Sequence, residues 1–261
     1  MLRNYLKIAF RNLLKNKAYA AINIIGVGVA LACCMAAYLF VGFNIEFNDF
    51  YKSQNTDDIF KVYHTLERED GTPYYHLFAP AAMAPIAAEE ITGIKSFSRF
   101  SGDGGALSID DLAFNQGIQF ADSSFLDLFN IPLKFGSAAS FKEISSIFLS
   151  FETSEKFFQQ ENPVGKQMKV SIRGQEFDVI VGGVFEKIPV NSSFNIQSLM
   201  RYENFLNIYN LEPGDWGDWH DAATLFQLED PSQAKNLTAQ LMRYVPIRNE
   251  AKPDTKSVSF T

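Results

Sequence analysis

The run with the greatest chemical potential is Trp216-Gly217-Asp218-Trp219-His220-Asp221. Asp218, His220 and Asp221 bring two carboxylates and an imidazole together, donor types that hold a divalent metal. Two tryptophans beside turn residues more often pin a loop onto a core, and that is the stronger reading. The other histidines, His64 and His76, lie far away in sequence. No His-Glu-x-x-His or paired Cys/His spacing occurs. His64 alternates with apolar residues and is expected on the surface or a strand face. Gly102-Asp103-Gly104-Gly105 has the glycines of a phosphate loop but no lysine, so a plain polar turn is expected. No Gly-x-Ser-x-Gly elbow is present. The expectation is therefore of no catalytic residue, no metal, no cofactor and no enzyme activity on this chain.

The elements that would position a site begin with an unusual N-terminus. Residues 1–45 contain Arg3, Lys7, Arg11, Lys15 and Lys17 and no acidic residue. The remainder holds 18 basic against 30 acidic residues. Such an acidic bulk argues against nucleic acid as a partner. From Ile24 to Phe43 runs a stretch of twenty uncharged residues, enough as a helix for about 30 Å of bilayer core. A cleaved export signal has a shorter apolar region, about 7–15 residues. Ala-Leu-Ala-Cys ends at Cys33, but Leu31 is one place from where a lipid-attachment signal needs it. A retained transmembrane helix over 20–46 is expected, with the basic end cytoplasmic and the rest extracytoplasmic. Cys33 and Cys34, the only cysteines, are small apolar fillers in that helix. Gly28 and Ala32 form a small-xxx-small pair that suits helix packing.

Residues 1–19 have helical spacing. Leu2, Leu6, Ala9, Phe10, Leu13 and Leu14 make an apolar stripe, while Arg3, Lys7, Arg11 and Lys15 recur every fourth residue. This predicts a helix on the inner membrane surface, its basic side toward lipid headgroups or a cytoplasmic partner. The same charges would also set topology.

Residues 47–261 predict a mixed α+β domain of two lobes, without a regular βαβ repeat. A short amphipathic stretch follows the membrane helix. Strands are expected at Ile59–Leu66, Tyr74–Phe78, Leu107–Ile109, Ala113–Phe120 and Ile147–Phe151. Gln167–Ile172 and Glu176–Phe185 predict a hairpin around Arg173-Gly174-Gln175. Pro80–Ile91 reads as a helix that Pro85 either kinks or delays. Asp122 is expected to cap a short helix, and Thr153 or Ser154 the helix reaching Gln160. Asp230-Pro231-Ser232-Gln233 is a helix start, with Ala234, Leu237 and Leu241 as its buried stripe. The 25 phenylalanines serve either the core or an apolar surface.

Several stretches in order resemble one family. Leu2–Cys34, LRNYLKIAFRNLLKNKAYAAINIIGVGVALACC, is similar to the start of MacB/FtsX-type ABC transporter permeases. The likeness continues through FNDFYKSQNTDDIFKVY, then IQFADSSFLDLFNIPLKFGS. Further on come Phe148-Leu149-Ser150, Phe157-Phe158 and Asn162-Pro163-Val164-Gly165-Lys166. Last is Val181-Gly182-Gly183-Val184 with Pro189, Asn191 and Ser192. The resemblance implies a permease subunit that transmits movement from a cytoplasmic ABC ATPase subunit to an extracytoplasmic core domain. Export, efflux and mechanotransmission are its implied outcomes. It also implies contact with membrane lipids and a homo- or hetero-dimer of permeases. Family members carry three further membrane helices after this domain, so a chain ending at Thr261 is expected to be a truncated one. The alternative is a single-span anchored sensor or interaction domain.

Overall fold

The computed structural model describes residues 2–45, 56–189, 191–217, 220 and 222–261, without the side chains of Leu2, Leu6, Ala9, Phe10, Leu13 and Leu14. The expected apolar stripe of the first helix falls on those side chains, and the short stretch after the membrane helix falls on 46–55. Both lie outside the described residues. The chain divides into two compact units, Met1–Asn48 and Asp49–Thr261.

The first unit contains α1 (Leu2–Lys15) and α2 (Lys17–Ile45). They meet at a bend on Asn16. The ladder continues across it: the Asn16 amide donates to the Asn12 carbonyl at 3.1 Å and the Ala20 amide to the Asn16 carbonyl at 3.0 Å. Ala20 is the one described residue of α2 that is buried.

The second unit begins with β1 (Ile59–Lys61), β2 (His64–Glu67) and β3 (Pro73–His76), then α3 (Met83–Glu90). A long hairpin follows, β4 (Ile94–Ile109) and β5 (Leu112–Ala121), and then α4 (Phe125–Phe129) and β6 (Leu133–Gly136). Next come β7 (Ser146–Leu149), α5 (Phe151–Phe158), β8 (Gln167–Ile172) and β9 (Gln175–Phe185). The last elements are β10 (Ser198–Arg201), α6 (Tyr202–Tyr209), β11 (Ala223–Leu228), α7 (Ala234–Leu241), α8 (Tyr244–Ala251) and β12 (Lys256–Phe260). The α+β class expected from the sequence is the class observed.

The strands form a nine-stranded sheet and a three-stranded one, β12-β2-β3. Within the larger sheet β4, β5, β10, β7, β9 and β8 pair in succession, and β8 returns to β4. Those six strands therefore close a ring. Its inside is filled by alternate residues, Leu107, Ile118, Phe120, Ile147, Val170 and Val181, each wholly buried. A second core lies under α3, α7 and α8, and a third gathers Phe125, Phe129, Phe141, Phe148 and Phe185. Eleven of the 25 phenylalanines are thus buried core, where each ring contributes on the order of 1.5–3 kcal/mol. The two expected lobes are not separate units: Asp49–Thr261 is one compact unit that holds both sheets.

Several local expectations hold. Arg173 and Gly174 both have positive φ, 51° and 78°, the geometry of a tight hairpin turn between β8 and β9. Asp230 accepts from the Ser232 amide at 2.9 Å, and Leu237 and Leu241 are buried. Pro85 sits in the first turn of α3, where its missing N–H is not needed, so the helix starts late.

Others are corrected. The expected strand Ile59–Leu66 is split, because Val62 donates to the Thr224 carbonyl while Tyr63 exchanges two bonds with Thr261. Its halves serve different sheets. Gly102–Gly105 is not a turn but part of β4, paired residue by residue with β5. Position 105 requires glycine there: a Cβ would lie 2.6 Å from Ile118 Cδ1 and 2.8 Å from the Ser171 carbonyl. Asp122 caps no helix. It is drawn instead to Arg99, and Ser124 precedes α4 with no side-chain cap. Ser150, not Thr153 or Ser154, caps α5, its Oγ accepting from the Thr153 amide at 3.0 Å.

Candidate functional site

The anchor unit carries the residues singled out at the N-terminus. Arg3, Lys7, Arg11 and Lys15 are all exposed on α1, spaced one turn apart. Steps of four advance by about 40° each, so the four cations cover roughly a third of the helix circumference. α2 is 29 residues long, about 43 Å of helix, and its most apolar window is wholly unburied. By length and composition it suffices to cross a membrane. Gly28 and Ala32 are exposed on it, as are Cys33 and Cys34. A Cβ added at Gly28 would meet nothing within 4 Å, so within this chain that surface is open to another helix.

The second unit contains two Arg–Asp arrangements on the same strand, four residues apart. Arg99 of β4 is 6% exposed and lies against Asp122 beyond β5. Its Nη2 reaches Oδ1 at 2.7 Å, its Nε reaches Oδ2 at 3.0 Å, and its own amide also donates to Oδ2 at 2.6 Å. The guanidinium stacks 4.0 Å from the Tyr202 ring. Burial lowers the guanidinium's proton affinity, and the Asp122 hydrogen bond and charge outweigh it, so the group stays charged. Asp103 instead faces Tyr209 and Arg173. Arg173 Nε lies 3.3 Å from Asp103 Oδ2 and 3.2 Å from the Tyr209 hydroxyl, which itself donates to Asp103. Burial pushes the Asp103 carboxyl up, but the bonds from Tyr209, the Gly104 amide and Arg173 prevail and hold it below the usual range.

The three histidines do not converge on a metal geometry. His64 is wholly buried on β2, not on the surface, with Nε2 2.7 Å from Ser257 Oγ and its ring stacked 4.6 Å from Phe260. Burial, then the nearby Arg248, His76 and Lys252 charges, drives its pKa down to about 3. His76 lies at the edge of that ring, with centroids 6.5 Å apart. His220 packs on Tyr209 at 4.4 Å and Phe205 at 5.7 Å. Asp218, Trp219 and Asp221 lie outside the described residues. Trp216 is buried and stacks on Tyr244 at 5.3 Å, the loop-pinning role expected for it. Among the described residues no group of three or more His, Cys, Asp or Glu is placed to hold a metal.

The buried Arg99–Asp122 pair escaped sequence reasoning, since its partners are 23 residues apart and Asp122 was read as a local helix cap. A charged residue amid the apolar alternation of a strand was the available signal.

Comparison with solved structures returns domains of the same fold. A domain of a putative permease protein from Porphyromonas gingivalis matches with TM-score 0.62 and 20% identity, covering 79% of this chain and 90% of that one. The extracellular domain of the noncanonic ABC-type transporter YknZ from Gram-positive bacteria matches with TM-score 0.53 and 14% identity, covering 77% and 100%. The periplasmic region of MacB from Actinobacillus actinomycetemcomitans matches with TM-score 0.52 and 16% identity, covering 77% and 88%. No curated protein matches the chain. Residues 20–244 match the family described as the MacB-like periplasmic core domain, from within the apolar helix to the first residue of α8. On that match, which takes in most of its length, the chain belongs to the MacB-like periplasmic core domain family.

Proposed function

We propose that the chain is a permease subunit of an ABC-type transporter. In this reading 20–46 cross the membrane, 1–19 lie on the cytoplasmic face, and 47–261 form the extracytoplasmic core domain. A separate ABC ATPase subunit hydrolyses ATP, and the helices carry the resulting movement outward to drive export, efflux or another mechanical task. Permeases of this kind work in pairs, so a homo- or hetero-dimer is part of the proposal, with Gly28 and Ala32 as the close-packing positions. Arg3, Lys7, Arg11 and Lys15 would hold anionic lipid headgroups or the ATPase.

The observation that carries the reading is the family match running without a break from the exposed apolar helix into the folded domain. The four cations before that helix and Lys17 at its start, against an acidic remainder, support the orientation. A reporter fused after Lys52 should be active only outside the cytoplasm; cytoplasmic activity overturns the topology. Replacing Arg3, Lys7, Arg11 and Lys15 by glutamate, with insertion and ATPase stimulation assayed separately, resolves their role. Each cation lost should weaken lipid attraction by about 1 kcal/mol if headgroups are the contact. A chain that performs its task with no ATPase associated would instead be an anchored interaction domain.

A further inference from the structure

Arg173 occupies a position that its residue type does not favour. It opens the two-residue turn between β8 and β9 with φ of 51°, and Gly174 follows with φ of 78°. Such turns prefer Asn, Asp or Gly where arginine stands. The side chain is nonetheless held in place. Its Nε donates to Asp103 Oδ2 at 3.3 Å and to the Tyr209 hydroxyl at 3.2 Å, and its Cζ lies 4.6 Å from the centre of the Tyr209 ring. It stays 55% exposed. An exposed ion pair adds little stability, so stability alone is a poor reason for the arrangement.

What the arrangement leaves open is specific. Of the guanidinium's N–H donors only the one on Nε is used. Among the described residues nothing bonds to Nη1 or Nη2. Asp103 Oδ2 accepts from Tyr209 and Arg173, and Oδ1 accepts from the Gly104 amide at 2.7 Å. A carboxylate has about four acceptor sites, so one remains on Oδ1. Asp103, Arg173 and Tyr209 line a cavity of about 310 Å³, together with Ser101, Phe78 and Phe205 among others. Its volume is at the small end for ligand clefts. Phe78 is 40% exposed and offers its ring to that space.

The charges of the cluster select its ligand. A cation would meet the Arg173 guanidinium, and an anion the Asp103 carboxylate, which its bonds hold ionised. A neutral ligand meets neither repulsion. It must accept from the Nη edge and donate to Oδ1, and hydroxyl groups do both. Neighbouring hydroxyls on one ring match the paired donors of that edge. The negative face of the Phe78 ring suits the C–H side of a sugar. We propose that this cavity binds an uncharged, hydroxyl-rich ligand of one or two sugar rings. Arg173 and Asp103 hold the hydroxyls, Tyr209 positions both side chains, and Phe78 packs against the ring. The proposal rests on the second unit alone and not on the permease reading.

The test uses the full chain in lipid nanodiscs. Glucose, mannose, N-acetylglucosamine, cellobiose and chitobiose are titrated at millimolar concentrations, with acetate and choline as charged controls. Binding is read by calorimetry and by saturation transfer from the protein's aromatic protons to the sugar. At least one sugar is expected to bind and to receive saturation, and Phe78→Leu should weaken it. Arg173→Asn gives the turn a residue it prefers and removes the guanidinium. Its unfolding midpoint should therefore not fall, while its affinity for the sugar drops about tenfold. Arg173→Lys keeps the charge without the paired donors and should bind as weakly. The absence of binding by any of the five sugars overturns the proposal, as does binding that Arg173→Asn or Arg173→Lys leaves unchanged. Acetate or choline bound in place of the sugars overturns it in favour of a charged ligand. A lowered midpoint in Arg173→Asn, with no sugar bound by the unaltered chain, overturns it in favour of a brace for the β8–β9 hairpin.

Discussion

In α2, Ile24, Ile25, Val27 and Leu31 stand 60–66% exposed, while in β7 Ile147, Phe148 and Leu149 are wholly buried. The residue types are alike, and what they rest against differs. β7 is central in its sheet, with neighbours on both sides and core on both faces. Its apolar groups are satisfied inside the chain. α2 completes its own backbone hydrogen bonds, as any helix does, and among the described residues nothing covers the side chains of its apolar window. The second unit thus buries its apolar residues within itself, whereas α2 keeps its own exposed.

A sharp way to break this contrast is at the buried Arg99–Asp122 pair of the second unit. Asp122→Ala leaves Arg99 charged, enclosed and without its carboxylate. A loss of about 3–5 kcal/mol is expected, read as a lower denaturant midpoint. Replacing both, Arg99→Met with Asp122→Leu, should recover much of that loss. A double variant as damaged as the single would show that the pair is held for more than its charge.

The anchor should respond to the opposite insult. Val29→Arg places a cation near the middle of α2, at about 2.5–3.5 kcal/mol in insertion. Less of the chain should fractionate with membranes, while the unfolding midpoint of the outer domain stays unchanged. A shift in that midpoint would mean the anchor contributes to the domain's stability after all.

Acid sharpens the contrast further. His64 is neutral when folded, with a pKa near 3, against about 6.5 when unfolded. The unfolded state binds the extra proton between those values, so stability falls as pH drops through that window and is flat above it. Between pH 6.5 and 5 the loss from this group should be about 1.5–2 kcal/mol. His64→Gln should flatten that part of the stability–pH curve, and an unchanged slope would remove His64 as its source. The smallest effect belongs to the exposed cluster. Arg173→Ala should leave the unfolding midpoint within error, since solvent screens its pairing with Asp103.

Legibility in the sequence followed the range of the interactions. The β8–β9 turn and the Asp230 cap were readable because both are decided within four residues. The apolar helix was readable because composition alone defines it. Gly102–Gly105 was misread because glycine is a poor strand former, and only pairing with β5 makes it one. Asp122 was misread because a cap is local whereas Arg99 lies in another strand. The Arg173–Asp103–Tyr209 cluster had no sequence signal, since a turn, a strand and a helix far apart in the chain supply its members.

The split strand at the domain's entrance has a mechanical consequence. Ile59–Lys61 is stitched to β11 in the large sheet, and His64–Glu67 to β12 in the small one. Between them Tyr63 exchanges two bonds with Thr261, and β2 and β12 run antiparallel from that point. Tension applied along the chain at Ile59 is therefore divided between both sheets within a few residues. Peeling the small sheet away would unzip it one bond at a time from the Tyr63–Thr261 end, while the ring of six strands bears the remaining load.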